Sequence, residues 1–71
     1  MTLQDVCAAV KEVTGQDVDS ATRLDDVVED SLEFMEVIVL VSSRCGEILD
    51  SVVPRINTVD DLFLAASGEL G

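Results

Sequence analysis

The stretch Asp30-Ser31-Leu32-Glu33-Phe34-Met35-Glu36-Val37-Ile38-Val39-Leu40-Val41-Ser42-Ser43-Arg44-Cys45-Gly46 decides how this chain folds. Its segment from Phe34 to Val41 is rich in β-branched residues and, taken alone, suits a buried strand. Its length, the N-cap signal of Asp30 with Glu33, and Gly46 as a C′ residue predict a helix over 31–45 instead. At about 100° per residue, Phe34, Val37, Ile38, Val41 and Cys45 fall on one stripe, and Leu32, Met35 and Val39 on nearly the opposite one. One stripe must face away from the core. It is either buried on a second side or is a contact surface, bordered by Glu33, Glu36, Ser42 and Ser43.

Working outward, residues 16 to 30 carry Asp17, Asp19, Ser20, Asp25, Asp26, Glu29 and Asp30 around the apolar anchors Val18, Leu24, Val27 and Val28, and predict a long loop of the kind that tends to be functional. Ahead of it, Thr2 and Asp5 resemble a capping box, and Leu3, Val6, Cys7, Val10 and Val13 recur at helical spacing up to Gly15. Behind Gly46, the residues Ile48, Leu49, Val52, Val53 and Ile56 surround Pro54 and allow only a turn or short helix. Thr58 with Asp61 opens a last helix, with Val59, Leu62, Phe63 and Ala66 on one face and Gly68 at its end. The expected fold is all-α: a small antiparallel four-helix bundle of three main helices and one short one, in a single domain over 1–71.

Composition narrows the function classes. Seventy-one residues support one small core, and the apolar content of 48% with 3% aromatics makes that core aliphatic. Four Lys and Arg against fifteen Asp and Glu give a net charge of −11, which repels nucleic acid and anionic membranes and calls for basic partners. No stretch is apolar enough to span a membrane, and the N-terminus lacks the basic region of a signal peptide, so a cytoplasmic, monomeric protein is expected. Cys7 and Cys45 stand far apart in a chain without histidine, which removes zinc clusters and CxxC chemistry and predicts buried free thiols. The missing histidines also remove the usual general base for serine chemistry, so no enzymatic activity is expected. Asp25, Asp26, Glu29 and Asp30 lack the spacing and central glycine of an EF-hand, and no specific metal site is expected.

From Leu24 through Ser43 there is no Lys or Arg, while Asp25, Asp26, Glu29, Asp30, Glu33 and Glu36 supply six negative charges around Ser31. A charge run of this kind is commonly only a solvated face. Ser31, however, ends the loop and opens the central helix, where backbone N–H groups and the helix dipole favour an anion such as a phosphodiester. Taken by itself, Ser31 serves equally as a helix cap.

Asp30-Ser31-Leu32, followed by Glu33 and Glu36, resembles the Asp-Ser-Leu motif of acyl carrier proteins and related thiolation domains. The resemblance extends over nearly the whole chain, from the first helix and acidic loop to the Thr58-Val59 start of the last helix. It implies that Ser31 is the attachment site of 4′-phosphopantetheine, transferred from coenzyme A by a phosphopantetheinyl transferase, with Asp30 and Leu32 completing the motif. The arm's thiol would carry acyl groups as thioesters for fatty-acid, polyketide or related biosynthesis. It further implies that Glu33 and Glu36, with Asp30, meet Lys or Arg of acyl-loading, condensing and acyl-transfer enzymes, and that Met35 and Val39, with Leu32, form the apolar part of that contact.

The chain departs from the family where Val27-Val28 replaces the usual Leu-Gly, where Ser42-Ser43-Arg44 replaces further acids, and where Cys45 replaces a frequent aromatic residue. These departures mark a specialised, discrete member. An aminoacyl or peptidyl carrier and an unmodified acidic helical interaction module are the alternative readings. A cavity among Val37, Val41, Leu49 and Leu62 is expected to accommodate an acyl chain.

Overall fold

The computed structural model describes residues 1–70 and is all-helical, with no strand among those residues. Helix α1, Leu3–Thr14, is capped by Thr2, whose hydroxyl accepts from the Asp5 N–H while the Asp5 carboxylate accepts from the Thr2 N–H at 2.8 Å. It closes on Gly15 at φ 77°, a left-handed conformation that glycine adopts without a Cβ penalty. Helix α2, Ser31–Arg44, and helix α3, Val59–Ala66, complete the main elements, and a six-residue 3₁₀ helix, Asp50–Arg55, carries Pro54. Four helices, three of them main, form the expected small bundle.

The core is aliphatic throughout. Val6, Val10, Leu24, Val37, Val41, Val59 and Leu62 are its largest fully buried side chains, and among the described residues no polar or charged one is buried with them. The principal extents of 26 × 23 × 21 Å leave room for only this one packed centre.

The loop between α1 and α2 is more structured than its composition suggests. Leu24–Asp26 forms a 3₁₀ turn, because the apolar Leu24 and Val27 are drawn into the core while their acidic neighbours stay in water. The loop is also stitched to the start of α3. The Leu24 N–H donates to the Asn57 carbonyl at 2.9 Å, and the Val59 and Asp60 N–H groups donate to the Thr22 and Ser20 carbonyls at 2.9 and 3.0 Å. Two otherwise unsatisfied donors of the first turn of α3 thereby find acceptors.

Several local expectations are corrected. Helix α2 ends at Arg44, one residue early, and Gly46 does not take a positive φ. Its smallness is required instead because a Cβ there would collide with the Ala66 carbonyl of α3. Cys7 and Cys45 are half-buried rather than buried, packed at the edge of the core. Ser42 is half-buried, and its Oγ accepts from the Ile48 N–H at 3.3 Å, holding the turn after α2. Leu49, expected beside Val37, Val41 and Leu62, is 59% exposed, since it precedes the 3₁₀ helix and points away from the core that Ile48 and Val52 join.

Candidate functional site

Asp30, not Ser31, caps α2. Its backbone is extended, at φ −157° and ψ 178°, and its carboxylate accepts from the Glu33 N–H at 2.8 Å. Glu33 in turn accepts from the Glu29 N–H at 3.3 Å, tying the end of the loop to the first turn of the helix. The capping role open to Ser31 is thus taken by its neighbour, for the physical reason that a cap must have extended backbone while Ser31 is already helical. Ser31 is exposed, and its hydroxyl makes no hydrogen bond among the described residues. The Ser31 and Leu32 N–H groups belong to the helix's unpaired first turn, so the positive end of α2 surrounds this hydroxyl.

Ser31 sits on the rim of an open groove of about 510 Å³ between the start of α2 and the 3₁₀ helix, a size within the range of small-molecule sites. Asp25, Glu29 and Asp30 give it an acidic edge, and Val28, Phe34, Val53, Pro54 and Ile56 give it an apolar lining. Val28 walls this groove. Among the described residues no non-glycine has a positive φ, so the backbone at 28 needs no glycine and the valine sits without strain. The groove residues beyond Ser31 and Asp30 were not predicted as site residues. Val53, Pro54 and Ile56 read in sequence only as a short apolar turn, and nothing there signals proximity to Ser31.

The outer stripe of α2 is exposed: Leu32 is 68%, Met35 44% and Val39 63% accessible, three of the five large apolar side chains left in water. The core stripe is correspondingly divided, with Val37, Ile38 and Val41 buried and Phe34 and Cys45 half-buried. Of the acids, Glu36 is exposed and has neither an ion pair nor a hydrogen bond among the described residues, and Glu33 is half-buried in its loop contact. Between α1 and this stripe lies a second open groove of about 650 Å³, whose walls include Glu12 and Val13.

Three of the four cations are held in surface pairs: Lys11 with Asp17 at 2.7 Å, Arg23 with Asp25 at 3.8 Å, and Arg44 with Glu12 through two prongs, the Nη2 to Oε1 contact being 2.9 Å. The Arg44 hydrogen bonds hold the Glu12 carboxyl below its ordinary range. Burial, then Asp19, pushes the Cys7 thiol up. Burial, then Asp5, does the same for Cys45, against a smaller opposing pull from the N-terminus and Arg44. Both thiols are therefore poor nucleophiles at neutral pH. Among the described residues no group of three or more His, Cys, Asp or Glu is placed to hold a metal ion, and no helix is long and apolar enough to cross a membrane. Comparison with protein-family models, curated proteins and solved structures gives no match.

Proposed function

We propose that this chain is a carrier protein, and within that class an acyl carrier protein modified on Ser31 with 4′-phosphopantetheine. The observation that carries the reading is the division of labour at the start of α2. Asp30 caps the helix and leaves the Ser31 hydroxyl exposed, unbonded and at the positive helix end, where a phosphodiester is favoured. The residues present fit such a group: an accessible hydroxyl for attachment, free first-turn N–H groups beside it, and an apolar groove with Val28, Val53 and Ile56 adjacent. When bound, the arm supplies a terminal thiol that holds acyl groups as thioesters.

In the attachment reaction, the Ser31 Oγ–P bond forms as the pyrophosphate bond of coenzyme A breaks and adenosine 3′,5′-bisphosphate leaves. The hydroxyl proton passes to a base of the transferase. Glu36 and the exposed Leu32, Met35 and Val39 present a face on which charge steers basic enzymes in and the limited apolar area lets them go again. Cys7 and Cys45, with raised thiol pKa, do not compete with the arm for acyl groups. Cytoplasmic biosynthesis of fatty acids, polyketides or related acyl products is the setting that follows.

The test is intact mass after incubation with coenzyme A and a broad-specificity phosphopantetheinyl transferase. A gain of one phosphopantetheinyl group in the parent, and none in Ser31→Ala, is the expected result. No gain in a folded parent would replace this reading with the unmodified interaction module.

A further inference from the structure

We propose that Glu33 is a positioning residue for Ser31: its carboxylate, by accepting from the Glu29 N–H, fixes the direction in which the loop enters α2 and so the place of the Ser31 hydroxyl. The proposal rests on the reading of Ser31 as the modified residue, and it gives Glu33 a task other than pairing with a partner's cation.

Little else holds the chain at this point. Val28 and Phe34 pack against the core on either side, while Glu29, Asp30, Ser31 and Leu32 between them are all exposed. Apolar burial therefore fixes the two ends of the segment and none of its middle. The middle is fastened by two side-chain hydrogen bonds that meet at residue 33. The Glu33 N–H donates to the Asp30 carboxylate at 2.8 Å, and the Glu33 carboxylate accepts from the Glu29 N–H at 3.3 Å. Ser31 lies inside the span so closed.

The other two main helices begin with the same device in a different register. The acid three residues past the cap accepts from the cap's own N–H, Asp5 from Thr2 at 2.8 Å and Asp61 from Thr58 at 3.1 Å, and Asp61 reaches back to the Asn57 N–H as well. Glu33 passes over the cap and takes only the N–H of the residue before it. Its carboxylate is thus turned back into the loop, and the residue is half-buried, whereas Glu36 is exposed and unpaired among the described residues. Acceptor geometry decides what Glu33 does, and charge decides what Glu36 does. Misplacing a reacting oxygen by about 1 Å costs up to about a hundredfold in rate, so the span matters for transfer to Ser31.

The experiment compares Glu33→Gln, which keeps an oxygen acceptor and removes the charge, with Glu33→Ala, which removes both. Transfer from coenzyme A by a broad-specificity phosphopantetheinyl transferase is timed at a temperature at which circular dichroism shows each chain folded, and amide NMR spectra are recorded on the unmodified chains. Glu33→Ala should lower kcat by about tenfold or more with KM little changed, and should shift the Glu29 and Ser31 amide signals. Glu33→Gln should stay within about twofold of the parent and keep those signals close to their original places. Glu36→Gln, the comparison for an acid that acts by charge, should instead raise KM, and by less in added salt. A Glu33→Gln variant as slow as Glu33→Ala, a loss confined to KM, or Glu29 and Ser31 signals that stay put in Glu33→Ala would each overturn the proposal while the carrier reading stands. A parent that accepts no arm would overturn the carrier reading and the proposal with it.

Discussion

At the residue scale, the decisive pair is Asp30 and Ser31. Both are small polar residues at a helix start, and either suits the cap by composition. The extended backbone of Asp30 and its 2.8 Å acceptance from the Glu33 N–H assign the cap to the aspartate. Asp30→Ala should therefore lower stability by about 1 kcal/mol, whereas Ser31→Ala, at an exposed and unbonded side chain, should change it by less than about 0.5 kcal/mol. Urea denaturation of the two variants checks this, and a larger loss from the serine variant would show that Ser31 has a structural role after all. The capping signal at Asp30-Glu33 was legible in the sequence. That it relieves Ser31 of the same task was not, because the distinction lies in backbone angles one residue apart.

At the element scale, the start of α3 joins three parts of the chain. Thr58 caps it, the Ser20 and Thr22 carbonyls accept its first free N–H groups, and the Asp61 carboxylate accepts from the Asn57 and Thr58 N–H groups at 2.9 and 3.1 Å. The Asn57 hydrogen bond, followed by those from Thr58 and against a modest burial penalty, lowers the Asp61 pKa below its ordinary 3.8. A depressed carboxylate stabilises the fold fully above its unfolded pKa, and that contribution fades as pH falls through the folded value. In an NMR titration, Asp61 should protonate at lower pH than unperturbed aspartates, with the Asn57 and Thr58 amides moving with it. Asp61→Asn should remove that amide transition, and amides that titrate unchanged in the variant would assign it to another group. The capping box was visible as Thr58-Asp61, but its junction with the acidic loop was not, because carbonyls from residues 20 and 22 carry no side-chain signature.

At the scale of the whole molecule, net charge meets small size. Eleven excess negative charges lie within a body 26 Å across at its widest. The Debye length is about 30 Å at 0.01 M salt and about 10 Å at 0.1 M, so repulsion reaches across the whole protein in the first condition and less than half of it in the second. The melting temperature should therefore rise with ionic strength, mostly between these two concentrations, and millimolar Mg²⁺ should act in the same direction. Calorimetric scans across that range check it, and a midpoint indifferent to salt would mean that the acids are too well solvated to oppose folding. The three exposed ion pairs do little to offset this, since surface pairs contribute about 0–1 kcal/mol each.

The sequence by itself determined the three main helices, their N-caps, the aliphatic core stripe and the acidic surroundings of Ser31, because each depends on local periodicity, capping chemistry or charge count. Only the tertiary structure decided that the outer stripe of α2 remains in water, that Val28, Val53 and Ile56 converge beside Ser31, and that Val13 of α1 faces Met35 and Val39 across a groove. It also decided that Gly46 is needed for a backbone approach and not for a turn. These outcomes depend on which surfaces of separate elements meet, and side-chain periodicity within one helix carries no record of what its neighbours cover or leave open.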